Sequence, residues 1–149
     1  MDRRNFLLTG LSTVFVSGPV LAASARLQVL KSPTCGCCTA WIAHVETAGL
    51  SVQAQDVTQE ALQAAKYKAG ITPDLSSCHT GFIEGYVIEG HVPVSDIQRL
   101  LAERPDAIGL IVPGMPVGSP GMEMGDQRDA FNTLLVLRDG SAVVFASHI

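Results

Sequence analysis

Basic side chains are scarce in this sequence. Its 149 residues carry 10 Lys and Arg against 14 Asp and Glu, a formal net charge of −4, and no basic stripe runs along any segment. A nucleic-acid partner needs such a stripe to neutralise phosphates, so that class is excluded. Aromatic residues make up only 5% of the chain. Beyond the first 21 residues no apolar run approaches the roughly 20 residues that cross a bilayer, which excludes a membrane span from the remainder. Internal repeats are missing, as is any linker rich in Gly, Pro or Ser between two apolar halves, so one domain is expected. Cysteine is sparse too: there are four, and three fall between Cys35 and Cys38. A scaffold stapled by disulfides would spread its cysteines, because a cross-link constrains the unfolded chain more when it closes a longer loop. Full pairing here would need tiny local rings, or one bridge to Cys78 and one awkward local bridge.

What is present begins with a charged, then apolar, then small-residue order over residues 1–22, read as a signal peptide. Arg3-Arg4 followed by Phe6-Leu7 resembles a twin-arginine signal. Asp2 and Leu8 depart from the usual hydroxyl residue and lysine, so the general secretory route stays open. Cleavage fits after Val20-Leu21-Ala22 or after Ala23-Ser24-Ala25. A retained anchor is the alternative, but Gly10, Ser12, Thr13, Ser17, Gly18 and Pro19 weaken the segment as a span. Residues 23–149 then form a single exported, acidic domain.

Residues 26–31 alternate polar and apolar and read as a strand ending at Ser32-Pro33-Thr34. From about Cys38 to Ala48, Trp41, Ile42, Val45 and Ala48 share a helical face that Gly49 stops. A second strand covers 51–57, and Thr58 caps a helix over 59–69 that Gly70 ends. After a loop over 71–77, short strands at 80–83 and 86–88 join at Glu84-Gly85. Ser95 and Gln98 form a capping box for a helix that Pro105 stops. A Gly/Pro-rich loop over 113–126 precedes strands at 133–137 and 142–145, turned at Asp139-Gly140. Strand, helix, strand, helix, hairpin and helix is the thioredoxin-like order: a central mixed sheet flanked by helices, here with a Gly/Pro/Met-rich loop and a C-terminal β-hairpin appended.

Cys35-Gly36-Cys37-Cys38 stands where a strand hands over to a helix, so helix amides and the positive helix end face the sulfurs and favour thiolates. Cys35 and Cys38 have the CxxC spacing of disulfide oxidoreductases. Cys37 complicates that reading: a third thiol diverts a mixed disulfide, whereas for Cu(I) it is one more soft ligand. Cys78-His79 precedes the third strand, a place where a redox thioredoxin keeps a cis-proline. Here the nearest upstream proline is Pro73, and a sulfur and an imidazole stand instead, which favours a metal over redox exchange. Cys78 as an inert core thiol is the bland alternative.

His44 lies seven residues past Cys37, a helical rise of roughly 10 Å, too far to share one ion with that sulfur. It is read as structural, as a support to a ligand, or as a ligand to another ion. His91, where the hairpin turns into a helix, is either a ligand or a turn residue. His148, beside the C-terminus, is given no role. Every methionine except Met1 lies in the loop Pro113–Met124, and thioethers such as those of Met115 and Met122 suit Cu(I) or cover apolar surface.

Lys31 to Cys38, Trp41, His44, Ser77-Cys78-His79-Thr80, Gly85-Tyr86, Glu89 to Pro93, and Pro113-Gly114-Met115-Pro116 through Gly118 to Glu123 together resemble the periplasmic CopG-type copper-resistance proteins. That is the metal-binding family long known as a domain of unknown function, distinct from the DNA-binding repressors of the same name. The resemblance implies a thioredoxin-like fold, a periplasmic location, and several copper ions gathered as Cu(I). It also implies a role in copper tolerance that extends to interconverting Cu(I) and Cu(II). It makes Cys35, Cys37, Cys38 and Cys78 thiolate ligands, with His79, His91, Met115 and Met122 as further candidates. Its expected partners are copper ions and copper-efflux or other periplasmic copper-handling proteins. Two competing readings remain: a thiol-disulfide oxidoreductase acting through Cys35 and Cys38, and a passive carrier that passes copper to an efflux pump.

Overall fold

A computed structural model describes residues 25–149, and the signal-peptide reading of residues 1–22 lies outside the described residues. The chain runs β1 (Arg26–Lys31), α1 (Gly36–Thr47), β2 (Ser51–Asp56), α2 (Gln59–Lys68) and a 3-10 turn (Pro73–Leu75). It continues with β3 (His79–Ile83), β4 (Tyr86–Glu89), α3 (Val94–Glu103), β5 (Ala107–Ile111), β6 (Phe131–Leu137) and β7 (Ala142–His148). All seven strands form one mixed sheet in the order β2-β1-β3-β4-β5-β6-β7. β1 is parallel to β2 and β4 to β5, while β1–β3, β3–β4, β5–β6 and β6–β7 are antiparallel. The expected α/β class, flanking helices, Met-bearing loop and terminal hairpin are present.

The alternation in β1 buries Leu27 and Val29 against Trp41 and Val45 of α1 and Ile97 and Leu100 of α3, so α1 and α3 cover one face. A smaller cluster of Ile71, Val87, Ile111 and Val136 lies apart, beneath the segment that follows α2. Trp41 is fully buried, and its ring N–H donates to the Val92 carbonyl at 2.9 Å. That bond ties α1 to the segment leading into α3.

Two expectations give way. β5 was not foreseen, because Ala107-Ile108-Gly109-Leu110-Ile111 lacks alternation: it lies between β4 and β6, and a strand buried on both faces reads as a continuous apolar run. The capping box at Ser95 and Gln98 does not form. α3 starts two residues earlier with Pro93 as its N-cap and no side-chain cap, the amides of Asp96 and Ile97 bonding to the Pro93 carbonyl. Proline already holds the φ needed there, and Ser95 points to solvent within the first turn.

Register fixes where chemistry can assemble. Lys31 pairs with His79, Thr80 with Glu89, and Glu89 with Ile111. The ends of β1, β4 and β5 and the start of β3 therefore share one end of the sheet, and Cys35, Cys78, His91 and the Met loop follow or precede those ends directly.

The central pairing leaves no room at Gly109, where an added Cβ would stand 1.9 Å from the Val87 carbonyl oxygen. Gly109→Ala is expected to lower unfolding free energy by at least about 1–3 kcal/mol in urea denaturation. Gly36→Ala, at a position with no heavy atom in the way, should stay within about 0.5 kcal/mol. Equal effects at the two sites would disprove the packing account.

Candidate metal centre

The turn after β1 delivers Cys35 to the N-cap of α1, where its sulfur accepts the Cys38 amide at 3.3 Å. Cys35 and Cys38 are joined by a disulfide with Cα atoms 5.4 Å apart, while Cys37 and Cys78 are free thiols. Local bridging, set aside from sequence as too strained, is thus present for one pair. The first turn of α1 explains it: residues three apart fall on the same side of a helix, and their Cα separation lies in the ordinary disulfide range. Cys37 Sγ stands 3.5 Å from Cys35 Sγ and 3.8 Å from Cys78 Sγ. All four sulfurs lie within 4.8 Å of one another.

Cys78 belongs to a second group as well. Its sulfur is 3.1 Å from His91 Nε2 and 3.3 Å from His79 Nδ1. The His91 Nδ1–H donates to the Pro120 carbonyl at 2.8 Å, which leaves the lone pair on Nε2, facing the sulfur. His79 is fully buried with its ring 4.3 Å from that of Trp41, and its Nε2 has no hydrogen-bond partner among the described residues. Burial, then His91, then Lys66 push the His79 pKa down to about 3. Burial likewise lowers that of His91, opposed by the Pro120 carbonyl and by Glu123. Burial first and Cys37 second push the Cys78 thiol up to about 12. Both rings are therefore neutral bases at pH 7, and a metal taken up at Cys78 must displace a proton. Sulfur plus neutral imidazole is a donor set that fits a soft ion, offered here by Cys78 Sγ, His79 Nδ1 and His91 Nε2.

The Met loop is pinned over this end of the sheet at two points. The Ser77 hydroxyl donates to the Gly114 carbonyl, and the Gly114 amide donates to the Ser76 carbonyl at 3.1 Å. Farther on, Pro120 receives His91, and Gly121 (φ +84°) packs so tightly on α1 that a Cβ would lie 2.6 Å from the Trp41 amide nitrogen. Met115 and Met122 each stand one residue past an anchor, Met115 exposed and Met122 half-buried. The structure thus brings together Cys35, Cys37, Cys38, Cys78, His79 and His91, and sets the two methionines on the strap beside them. His44 lies on the exposed side of α1, outside the groups that converge. A cavity of about 620 Å³ backs onto Ser32–Thr34 and the start of α2 and is lined by neither cysteine nor histidine.

A buried charge network under the site was not anticipated. Glu89 is fully buried: it accepts from Lys66 Nζ, from the Thr80 hydroxyl at 2.7 Å and from the Ser77 amide at 2.6 Å. Lys66 also donates to Thr80 Oγ1 at 2.9 Å. A carboxylate closing the apolar strand Tyr86-Val87-Ile88 was the available signal. Lys66 gave none, since it sits on a polar helix.

Residues 75–122 match the model of a family described as a protein of unknown function, DUF411. No curated protein matches the chain significantly. Among solved structures, copper resistance protein CopG in form 1 superposes with a TM-score of 0.77 at 45% identity, covering 83% of this chain and 96% of that one. Form 2 of the same protein gives 0.78 at 44% identity, covering 84% and 98%.

Two outcomes follow from the buried groups. Because the unfolded chain takes up a proton on His79 near its ordinary 6.5 and the folded chain only near 3, stability is full above pH 6.5 and falls as pH drops towards 3. His79 alone contributes up to about 1.4 kcal/mol per pH unit in that window, with His91 adding in the same direction. Urea denaturation of metal-free protein at pH 7 and pH 5 measures it, and a His79→Asn chain with an undiminished pH slope would refute the assignment. Glu89→Ala leaves Lys66 uncompensated and should cost about 3–5 kcal/mol. A loss below about 1 kcal/mol would show the pair to be dispensable.

Proposed function

The chain belongs to the family of copper resistance protein CopG, and from that premise we propose that it is an exported copper-handling protein. It gathers more than one Cu(I) ion on Cys35, Cys37, Cys38 and Cys78. His79 and His91 complete the set on the Cys78 side, and Met115 and Met122 offer thioethers from the strap. The observation that carries this reading is the convergence of four sulfurs within 4.8 Å of one another at a helix start. Thiolates suit Cu(I), and the helix end lowers the cost of forming them. Interconversion of Cu(I) and Cu(II) at the same site belongs to this reading, as do the periplasm as its place of work and copper-efflux or other periplasmic copper-handling proteins as its recipients. The parallel β1–β2 pair with α1 between, followed by the antiparallel β3–β4 hairpin and α3, supports a thioredoxin-like core in residues 23–149, with β5 to β7 appended.

A second reading is favoured by the Cys35–Cys38 disulfide: thiol-disulfide exchange with protein substrates. Turnover in an insulin-reduction assay that disappears in Cys35→Ser and Cys38→Ser supports it, and no turnover removes it.

The copper reading is tested by anaerobic titration of the fully reduced chain with Cu(I) against a competing chelator. More than one tightly held ion per chain is expected, with loss of that binding when Cys35, Cys37 and Cys38 are all replaced by serine. Unchanged stoichiometry in the triple variant would sink the proposal.

A further inference from the structure

Cys37 and Cys78 are not simply two more ligands. Their sulfurs, from α1 and from the segment before β3, stand 3.8 Å apart, and Cys37 is 3.5 Å from Cys35 of the existing disulfide. The sulfurs of Cys38, Cys35, Cys37 and Cys78 thus form a continuous row in which each is bonded to or touches the next. The two free thiols bracket opposite sides of the site: one is on the helix that holds the disulfide, the other is held by Ser77, whose amide is fixed to buried Glu89.

We propose that Cys37 and Cys78 are a second redox pair, so that the reduced chain holds two electron pairs and delivers both to Cu(II). This rests on the reading that copper is the cargo of the site. At each pair two thiols lose their protons to water and give one electron each to two Cu(II) ions. One S–S bond forms and two Cu(I) ions result. The row of sulfurs also lets one disulfide travel. Cys37 as thiolate attacks Cys35, the Cys35–Cys38 bond breaks, and Cys38 leaves as the thiolate that takes up the proton Cys37 gave. Cys78 then attacks Cys37 in the same way and releases Cys35. The chain keeps one disulfide and two thiols at each stage, so this relay needs no outside reagent. One consequence is chemical: each disulfide formed removes two thiolates from the set that holds Cu(I), so reduction loosens the grip on its own product.

The test uses fully reduced, metal-free protein, titrated anaerobically with Cu(II) in excess bathocuproine disulfonate, which captures Cu(I). The four cysteines predict four Cu(I) per chain. In Cys35→Ser/Cys38→Ser the yield should halve, with an intramolecular Cys37–Cys78 link in the non-reduced peptide map. Wild-type chains oxidised to one disulfide should show both Cys35–Cys38 and Cys37–Cys78 links, a measurement that needs no variant. A wild-type yield that stops at two, with Cys37 and Cys78 still alkylatable, would overturn the second pair. Finding Cys35–Cys38 alone in half-oxidised wild-type chains would overturn the relay. Failure of Cu(I) titration in the reduced chain is a separate result: it strikes the copper-holding reading and leaves the thiol count to stand by itself.

Discussion

Glu89 is a carboxylate with no exposed surface that accepts hydrogen bonds from three different parts of the chain. Burying such a charge is costly unless it is paired and fully bonded, and here a buried ammonium from α2, a hydroxyl from β3 and the backbone of Ser77 together satisfy it. The arrangement works in one direction. Because Ser77 is held, Cys78 has a fixed starting point at the head of β3, and because Glu89 is held, the turn that carries His91 has one too. The contact between Cys78 Sγ and His91 Nε2 depends on both. A softer, apolar replacement could pack as well, but it would place no constraint on the two residues that must meet.

From that anchor the rest of the site follows as successive coverings. His79 fills the space between Trp41 and His91, its neutral ring tilted at 41° to the indole and edge-on to His91. Trp41 in turn fixes α1, and with it the first helical turn that presents Cys35, Cys37 and Cys38. The Met loop closes over this assembly through Pro120 and Gly121, and its seat on α1 accommodates glycine alone. Cys78 is the one sulfur shared by the thiol group and the imidazole group.

Much of this was legible in the chain. Period-two alternation located β1 and β2, the apolar face of Trp41 and Val45 located α1, and Asp139-Gly140 located the last hairpin. The cysteines and Cys78-His79 were singled out by residue type and spacing, and the segment before β3 was expected beside the cysteine loop, where the sulfurs do meet. The failures have physical causes. β5 is buried on both faces and has no period to detect. The first turn of α3 starts on a proline whose fixed φ replaces the side-chain cap that sequence rules look for. His148 was passed over as a terminal residue, yet it bonds to buried Asp96 at 2.8 Å beside Thr133, a pairing across 52 positions that no local pattern reports. Lys66 and Glu89 were missed for the same reason: their partners are set by tertiary packing, and a lysine on a polar helix looks solvated until the sheet beneath it is known.

The disulfide and the metal site are best understood as two states of one set of sulfurs. Four thiolates crowded within 4.8 Å repel one another, and burial of Cys78 adds to that cost, so the metal-free, deprotonated cluster is the least favourable form. The repulsion can be relieved by protons, by S–S bonds or by soft cations. Protons are held at Cys78, a bond is held between Cys35 and Cys38, and the position of Cys37 between them decides which relief spreads. A cation that takes sulfur from both sides must draw a proton from one and find the bond on the other already reduced. On the copper reading proposed above, loading is thereby coupled to pH through Cys78 and to thiol redox poise through Cys35 and Cys38.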